Sequence, residues 1–139
     1  MFIDASAILA ILFAEQDSQT LLERAMNSPV NLVYSPLARF EAVVGFARRR
    51  AGTHRSSTAE QIEEATEIID GLFVELGAKC MDLSETIGTR ALTAAQTYGR
   101  AVGHPAGLNL GDCFAYACAK ERGVGLLYKG GDFAATDLG

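Results

Sequence analysis

The chain has 139 residues, of which 49% are apolar and 21% are charged, and its formal net charge is −5. This length and balance predict a single globular domain covering residues 1–139, large enough to bury a core without disulfides or structural metals. The negative charge argues against a simple basic nucleic-acid-binding module, because affinity for phosphates comes from Lys and Arg, but it does not exclude a nucleic-acid enzyme with an acidic metal site.

Short strand-like runs alternate with helical runs along the chain. In order, the sequence predicts a strand at 1–4, helices at 5–15 and 17–28, a strand at 31–34, helices at 35–52 and 55–77, a strand at 78–83, helices at 84–101 and 110–123, and a strand at 124–128. The helix after the second strand has the strongest boundaries, with Ser35 at the N-cap, Pro36 at its first position and Gly52 at its end. The alternation predicts an α/β fold, with a short, mostly parallel central sheet flanked by helices.

Few features of the sequence point to a membrane or to an oxidising compartment. No apolar stretch approaches the ~20 residues that span a bilayer, and the first segment lacks the basic start of a signal peptide. The three cysteines, Cys80, Cys113 and Cys118, form no C-x-x-C pair and are predicted to be small core residues. The histidines, His54 and His104, are predicted to lie at the surface. We therefore expect a cytoplasmic protein with no membrane partner.

Three aspartates lie at predicted junctions between strands and the segments that follow them. Asp4 ends the first strand and can act as a helix N-cap. Asp112 opens a helix and can form a capping pair with Asn109. Asp132 follows the last strand and two glycines, where turn aspartates are common. Each residue therefore has a purely structural interpretation when it is considered alone.

Glu41 is harder to explain structurally. On a helix it shares a face with Leu37 and Val44, so its carboxylate follows an apolar stripe. A lone buried carboxylate costs several kcal/mol unless it is paired or binds a metal. Arg39 or Arg48 could supply a salt bridge, and the sequence leaves that alternative open.

The predicted topology brings these acids to one place. In an open parallel sheet, strand ends and the starts of the following helices line a crevice at one edge. Four carboxylates gathered there repel one another unless cations enter. Oxygen ligands favour hard divalent ions, so the predicted cofactor is Mg²⁺ or Mn²⁺. The predicted metal-binding residues are Asp4, Glu41, Asp112 and Asp132.

Several motifs resemble those of the VapC family of PIN-domain ribonuclease toxins. They are MFIDASAILAIL, RFEAVVGFARRR, HPAGLNLGDCFAYACAK and LLYKGGDFAATDL, and the resemblance covers essentially the whole chain. It implies a metal-dependent endoribonuclease toxin of a type II toxin–antitoxin system, which hydrolyses RNA phosphodiester bonds at an acidic site. Carried over by motif, the catalytic acids are Asp4, Glu41, Asp112 and Asp132, and Ser6 helps to order the site. The motif RFEAVVGF departs from the family, where many relatives have a smaller residue before the glutamate and a serine soon after it.

The resemblance also implies partners. These are an RNA substrate, a cognate VapB-like antitoxin that binds the toxin tightly, and a second copy of the chain in a homodimer. The apolar helix face of Leu21, Leu22 and Ala25 fits either a partner or ordinary core packing. Candidate phosphate contacts are the four arginines Arg39, Arg48, Arg49 and Arg50, together with Arg55, Lys120, Arg122 and Lys129. Arginines at a helix C-terminus are also favourable without a ligand.

Two other functions are compatible with this pattern. A haloacid-dehalogenase-like phosphatase also has an aspartate after its first strand, but its chemistry needs a second aspartate two residues later, where this chain has Ser6. A catalytically inactive PIN-like module would act only through antitoxin binding. Retention of all four acids disfavours that second alternative.

Overall fold

The computed structural model describes all 139 residues. Its elements, in chain order, are strand β1 (Phe2–Ile3), helices α1 (Ala5–Leu12) and α2 (Ser18–Met26), strand β2 (Val33–Tyr34), helices α3 (Pro36–Ala51) and α4 (Ala59–Glu75), strand β3 (Lys79–Cys80), helices α5 (Glu85–Tyr98) and α6 (Leu110–Arg122), and strand β4 (Leu126–Leu127). Two short 3-10 turns cover Arg100–Val102 and Asp132–Ala135. None of the helices is both long and apolar enough to cross a lipid bilayer.

The four strands form one parallel sheet in the order β3-β2-β1-β4. Strand β1 is central and pairs with both β2 and β4. Because all four strands run the same way, their carboxyl ends lie along one edge of the sheet, which is where α/β proteins bind ligands. The predicted α/β class, with a short parallel sheet flanked by helices, is confirmed.

Two apolar cores cover the two faces of the sheet. Successive residues of a strand point to opposite faces, so Phe2 and Leu126 join one core while Ile3 and Leu127 join the other. Helices α5 and α6 cover the Phe2 face, and α1, α2 and α4 cover the Ile3 face, while α3 contributes to both. Leu21 and Ala25 are buried in the second of these cores.

The boundaries of α3 follow from local chemistry, as the sequence predicts. The Ser35 hydroxyl accepts a hydrogen bond from the Ala38 amide, Pro36 occupies the first helical position, and the helix ends at Gly52, whose positive φ of 91° favours glycine. The Ser35 hydrogen bond satisfies a backbone N–H that the start of a helix otherwise leaves unpaired.

Three details differ from the predictions. The strands shorten to two residues each, because pairing with neighbours decides how far a strand extends. Helix α1 ends at Leu12 rather than at residue 15, since Ala14 adopts a positive φ of 49° that a right-handed helix cannot contain. Cys80 is exposed on the edge strand β3, so the prediction that it is a core residue is wrong, whereas Cys113 and Cys118 are buried.

Candidate active site

The four acids predicted from the sequence lie around the carboxyl edge of the sheet. Asp4 separates β1 from α1, and Glu41 lies on the second turn of α3, which follows β2. Asp112 lies in the first turn of α6, and Asp132 begins the turn that follows β4. Electrostatic repulsion couples the four carboxylates: Asp4 and Asp112 each act on Glu41, and Asp132 acts on both Asp4 and Asp112. The fold therefore gathers residues from four separate segments into one acidic site.

Asp4 is buried and is held in place by Ser6. Its Oδ2 accepts hydrogen bonds from the Ser6 amide, at 2.9 Å, and from the Ser6 hydroxyl. The same hydroxyl accepts a hydrogen bond from the backbone N–H of Lys129 at 3.0 Å. Burial raises the pKa of Asp4 above its usual value, the Ser6 hydrogen bonds oppose this shift, and repulsion by Asp132 adds to it. Ser6 thus ties the Asp4 carboxylate to the loop that leads to Asp132.

Glu41 has no cationic partner. The candidate salt bridges are absent: Arg39 binds both carboxylate oxygens of Asp70 at 2.7 Å, and Arg48 has no carboxylate within 4.0 Å. Burial, followed by repulsion from Asp4 and then from Asp112, raises the pKa of Glu41 from 4.5 to about 7. Burial and the lack of a counter-ion both disfavour the charged form of a carboxylate. A carboxylate in this situation is therefore unusual in a purely structural role.

Gly111 makes room for the Glu41 carboxylate. A Cβ added at Gly111 would lie 2.3 Å from each Glu41 carboxylate oxygen, which is less than a van der Waals contact. The backbone of α6 therefore approaches the Glu41 side chain at a position where only glycine fits without displacing it. Sequence reasoning missed this residue, although it directly precedes Asp112 in the motif LGDCF.

Asp112 combines a structural role with a place in the site. Its Oδ2 accepts a hydrogen bond from the Asn109 amide at 2.8 Å, and the Asn109 side chain accepts one from the Asp112 amide at 3.0 Å. Burial raises the pKa of Asp112, the Asn109 hydrogen bond opposes this, and repulsion from Asp4 and Asp132 adds to it, while the Arg100 guanidinium lowers it slightly. The capping interpretations of Asp4 and Asp112 are thus correct, but they do not account for the gathering of the acids.

The donor set fits a hydrated hard cation. Its oxygens come from carboxylates that repel one another, and no Lys or Arg neutralises Asp4 or Glu41. No three Asp, Glu, His or Cys side chains converge closely enough to form a metal shell of protein atoms alone. Mg²⁺ commonly keeps several waters and takes only one or two carboxylates directly, so such a shell is not required of it. Asp4, Glu41, Asp112 and Asp132 are the residues that could hold such an ion.

The basic residues proposed to contact RNA differ in their surroundings. Arg39 is engaged by Asp70, and Arg49 forms an ion pair with Glu15 at 2.5 Å. Arg48 and Arg50 are exposed and have no carboxylate within 4.0 Å. The structure thus leaves two of these four arginines free of ion pairs, and the role of all four in RNA binding stays a prediction.

The raised pKa of Glu41 predicts how stability depends on pH. The fold destabilises the charged form of Glu41, and this lowers the free energy of unfolding. The loss is absent below pH 4.5, grows as the pH approaches about 7, and is complete above that pH. In metal-free protein, Glu41→Gln should therefore raise the free energy of unfolding at about pH 8 by roughly 1–2 kcal/mol, a figure discounted for partial exposure. Urea unfolding at about pH 5 and about pH 8, in EDTA, measures this difference.

Glu75→Gln provides the matched control for that experiment. Glu75 is an exposed residue of α4 that forms no ion pair, and its substitution makes the same change in charge. It should shift the free energy of unfolding by less than about 0.5 kcal/mol at either pH. Equal stabilisation of the Glu41→Gln protein at both pH values would contradict the explanation based on a buried charge.

The chain matches one known protein family along almost its whole length. The family model described as PIN domain matches residues 1–138. A VapC ribonuclease of Rhizobium meliloti (strain 1021) is 46% identical over 140 residues, covering 99% of each chain. Ribonuclease VapC42 of Mycobacterium tuberculosis is 33% identical over 138 residues, covering 99% of this chain and 96% of the relative.

Solved structures show the same fold at low sequence identity. VapC20 of Mycobacterium tuberculosis, described as a toxin that cleaves the sarcin-ricin loop, superposes with a TM-score of 0.68 at 15% identity, covering 96% of this chain and 92% of the other. A toxin–antitoxin complex from Klebsiella pneumoniae gives a TM-score of 0.65 at 18% identity, covering 98% and 92%. The chain belongs to the PIN domain family, in the group whose curated members are named VapC ribonucleases.

Proposed function

We propose that this chain is a metal-dependent endoribonuclease toxin that hydrolyses RNA phosphodiester bonds. The observation that supports this proposal most strongly is Glu41, a half-buried carboxylate without a cation, which lies against the Gly111 backbone and is repelled by Asp4 and Asp112. A site that concentrates uncompensated negative charge suits a divalent ion and, through it, a phosphate group. The naming of full-length relatives as ribonucleases supports RNA as the substrate.

The four carboxylates are assigned different parts of the reaction. Asp4 and Asp112, the two acids at helix starts, would bind the principal ion directly. Glu41 would hold or orient a second ion or its water, and Asp132, which is exposed, would complete the shell through water. A Mg²⁺ or Mn²⁺ ion held by these residues would supply a water of lowered pKa near neutral pH and would offset negative charge in the transition state.

The surrounding residues hold the acids in position. Ser6 fixes one oxygen of Asp4, Asn109 fixes one oxygen of Asp112, and the absence of a side chain at Gly111 allows Glu41 to approach them. A site built from rigid helix starts in this way keeps its geometry without substrate. No histidine or lysine is needed as a base in this scheme.

A protein partner is part of the proposal. The relatives' names and the toxin–antitoxin complex with the same fold support a VapB-like antitoxin, which we expect to cover the acidic site in the cytoplasm. Leu92 and Leu110 are 67% and 70% exposed beside an apolar groove between α5 and the start of α6. Exposed apolar surface of this kind is common where proteins associate, which suits both an antitoxin and a homodimer.

Metal removal tests the proposed activity. Purified protein should cut single-stranded RNA in Mg²⁺ or Mn²⁺, lose that activity in EDTA, and regain it when Mn²⁺ is added in excess. Sequencing the fragments identifies the cleavage position. Cleavage that persists in EDTA would contradict metal dependence.

Calorimetric titration with Mn²⁺ distinguishes this proposal from the alternative of a catalytically inactive PIN-like module. A degenerate acidic site in such a module should bind no Mn²⁺ and therefore release no heat of binding.

A further inference from the structure

A second cleft lies where α3 ends and α4 begins. It has a volume of about 670 Å³ and is formed by the last turns of α3, the connecting loop and the first turn of α4. The residues that line it are Val44, Arg48, Arg49, Gly52, Thr53, His54, Arg55, Ser56, Ser57 and Ile62. We call it the arginine cleft. Its lining contains three arginines, one histidine and three hydroxyl groups, and no acidic residue.

Two of the three arginines in the arginine cleft are not neutralised by the protein. Arg48 and Arg55 are exposed, and neither has a carboxylate within 4.0 Å. Arg49 is fixed differently: its guanidinium pairs with Glu15 and lies 4.0 Å from the centre of the Phe13 ring. In a chain whose net charge is −5, two unpaired guanidiniums in a hydroxyl-lined cleft form a site for an anion.

The cleft and the acidic site share one face of α3. Arg48 follows Glu41 by seven residues, which is about two helical turns, so the two side chains leave the helix in nearly the same direction. The rise between them is about 10 Å. Val44 lies between them on the same stripe and lines the cleft. A flexible polyanion bound at Glu41 can therefore continue along α3 into the arginine cleft.

We propose that the arginine cleft binds backbone phosphates of the RNA strand whose scissile phosphate lies at the acidic site. This proposal rests on the ribonuclease activity proposed above. Arg48 and Arg55 contact phosphate oxygens, since the planar guanidinium suits that geometry, and the loop hydroxyls donate further hydrogen bonds. The contacts are to the backbone alone, so they hold the strand without selecting its sequence.

Binding experiments without divalent metal test the cleft separately from cleavage. The probe is a fluorescein-labelled, single-stranded RNA of mixed sequence, and its anisotropy is measured in EDTA over a range of salt concentrations. For the Arg48→Gln, Arg55→Gln protein, we expect the dissociation constant at low salt to rise about tenfold and the salt slope to fall by about 1.4, since two phosphate contacts are lost. In Mn²⁺, the same protein should cleave with a raised KM and an unchanged kcat, because binding and not chemistry is impaired.

The matched control is the Arg24→Gln, Lys79→Gln protein. Both residues are exposed, lie outside the arginine cleft and have no carboxylate within 4.0 Å. It loses the same charge and should keep the binding constant and salt slope of the unsubstituted protein. Equal weakening by both double substitutions would overturn the proposal. Failure of the proposed ribonuclease function is distinguishable from failure of the cleft proposal. In the first case the unsubstituted protein would not cleave RNA in Mn²⁺.

Discussion

Replacing Asp4 and Asp112 together by asparagine should lower the rate of RNA cleavage by at least about a thousandfold, since both carboxylates proposed to bind the principal ion lose their charge. The fold should survive. An asparagine at either position can still accept the capping hydrogen bond that the aspartate accepts from Ser6 or Asn109. Cleavage in Mn²⁺ and thermal unfolding in EDTA measure the two effects separately.

Removal of one buried and one half-buried charge should leave the melting temperature unchanged or raise it, because burial and mutual repulsion raise the pKa of both aspartates. The Asp82→Asn, Glu75→Gln protein makes the same change in charge at exposed residues outside the site. It should cleave at the normal rate. Full activity of the Asp4, Asp112 double variant would refute the assignment of the site.

Substituting Gly111 by alanine should lower cleavage about a hundredfold with little change in stability. The added Cβ overlaps both oxygens of the Glu41 carboxylate, at 2.3 Å. That carboxylate is the end of a flexible side chain, so it can rotate away at small cost, but it then leaves the other acids. A misplacement of about 1 Å in a catalytic group can cost a hundredfold in rate. Alanine also favours the helix by up to about 1 kcal/mol.

Gly71→Ala is the control for this substitution. Gly71 is also helical, on α4, and an added Cβ there meets nothing within 4 Å. It should gain helix stability and keep full activity. The Gly111→Ala protein should also lose the pH-dependent decrease in the free energy of unfolding that is attributed to Glu41, since the displaced carboxylate moves into water. A Gly111→Ala protein that cleaves normally would show that Glu41 does not need its present position.

The order of elements and most helix boundaries were predictable because they depend on neighbours in the chain. The start of α3 needs only Ser35 and Pro36, and its end needs only Gly52. The lengths of the strands were less predictable, because a strand extends only as far as its partners allow. The exposure of Cys80 likewise depends on β3 being the edge strand of the sheet, which no local pattern indicates.

The four acids could be selected from the sequence as candidate site residues because each lies at a recognisable junction or on an apolar stripe. The sequence left open whether Glu41 forms a salt bridge, and only the folded chain decides this, by directing Arg39 to Asp70 on α4. The contact between Gly111 and Glu41 is likewise decided only by the folded chain. The sequence shows a glycine before an aspartate, but the reason for it is a side chain on another helix.

The sequence by itself determined the elements, their order, the acidic residues and the family resemblance, because these depend on local spacing and composition. The tertiary structure decided which charges are neutralised and which are not. Whether a carboxylate or guanidinium is paired depends on the few ångströms around it, and those neighbours come from distant parts of the chain. The unpaired Glu41 in the acidic site and the unpaired Arg48 and Arg55 in the arginine cleft are both results of that packing.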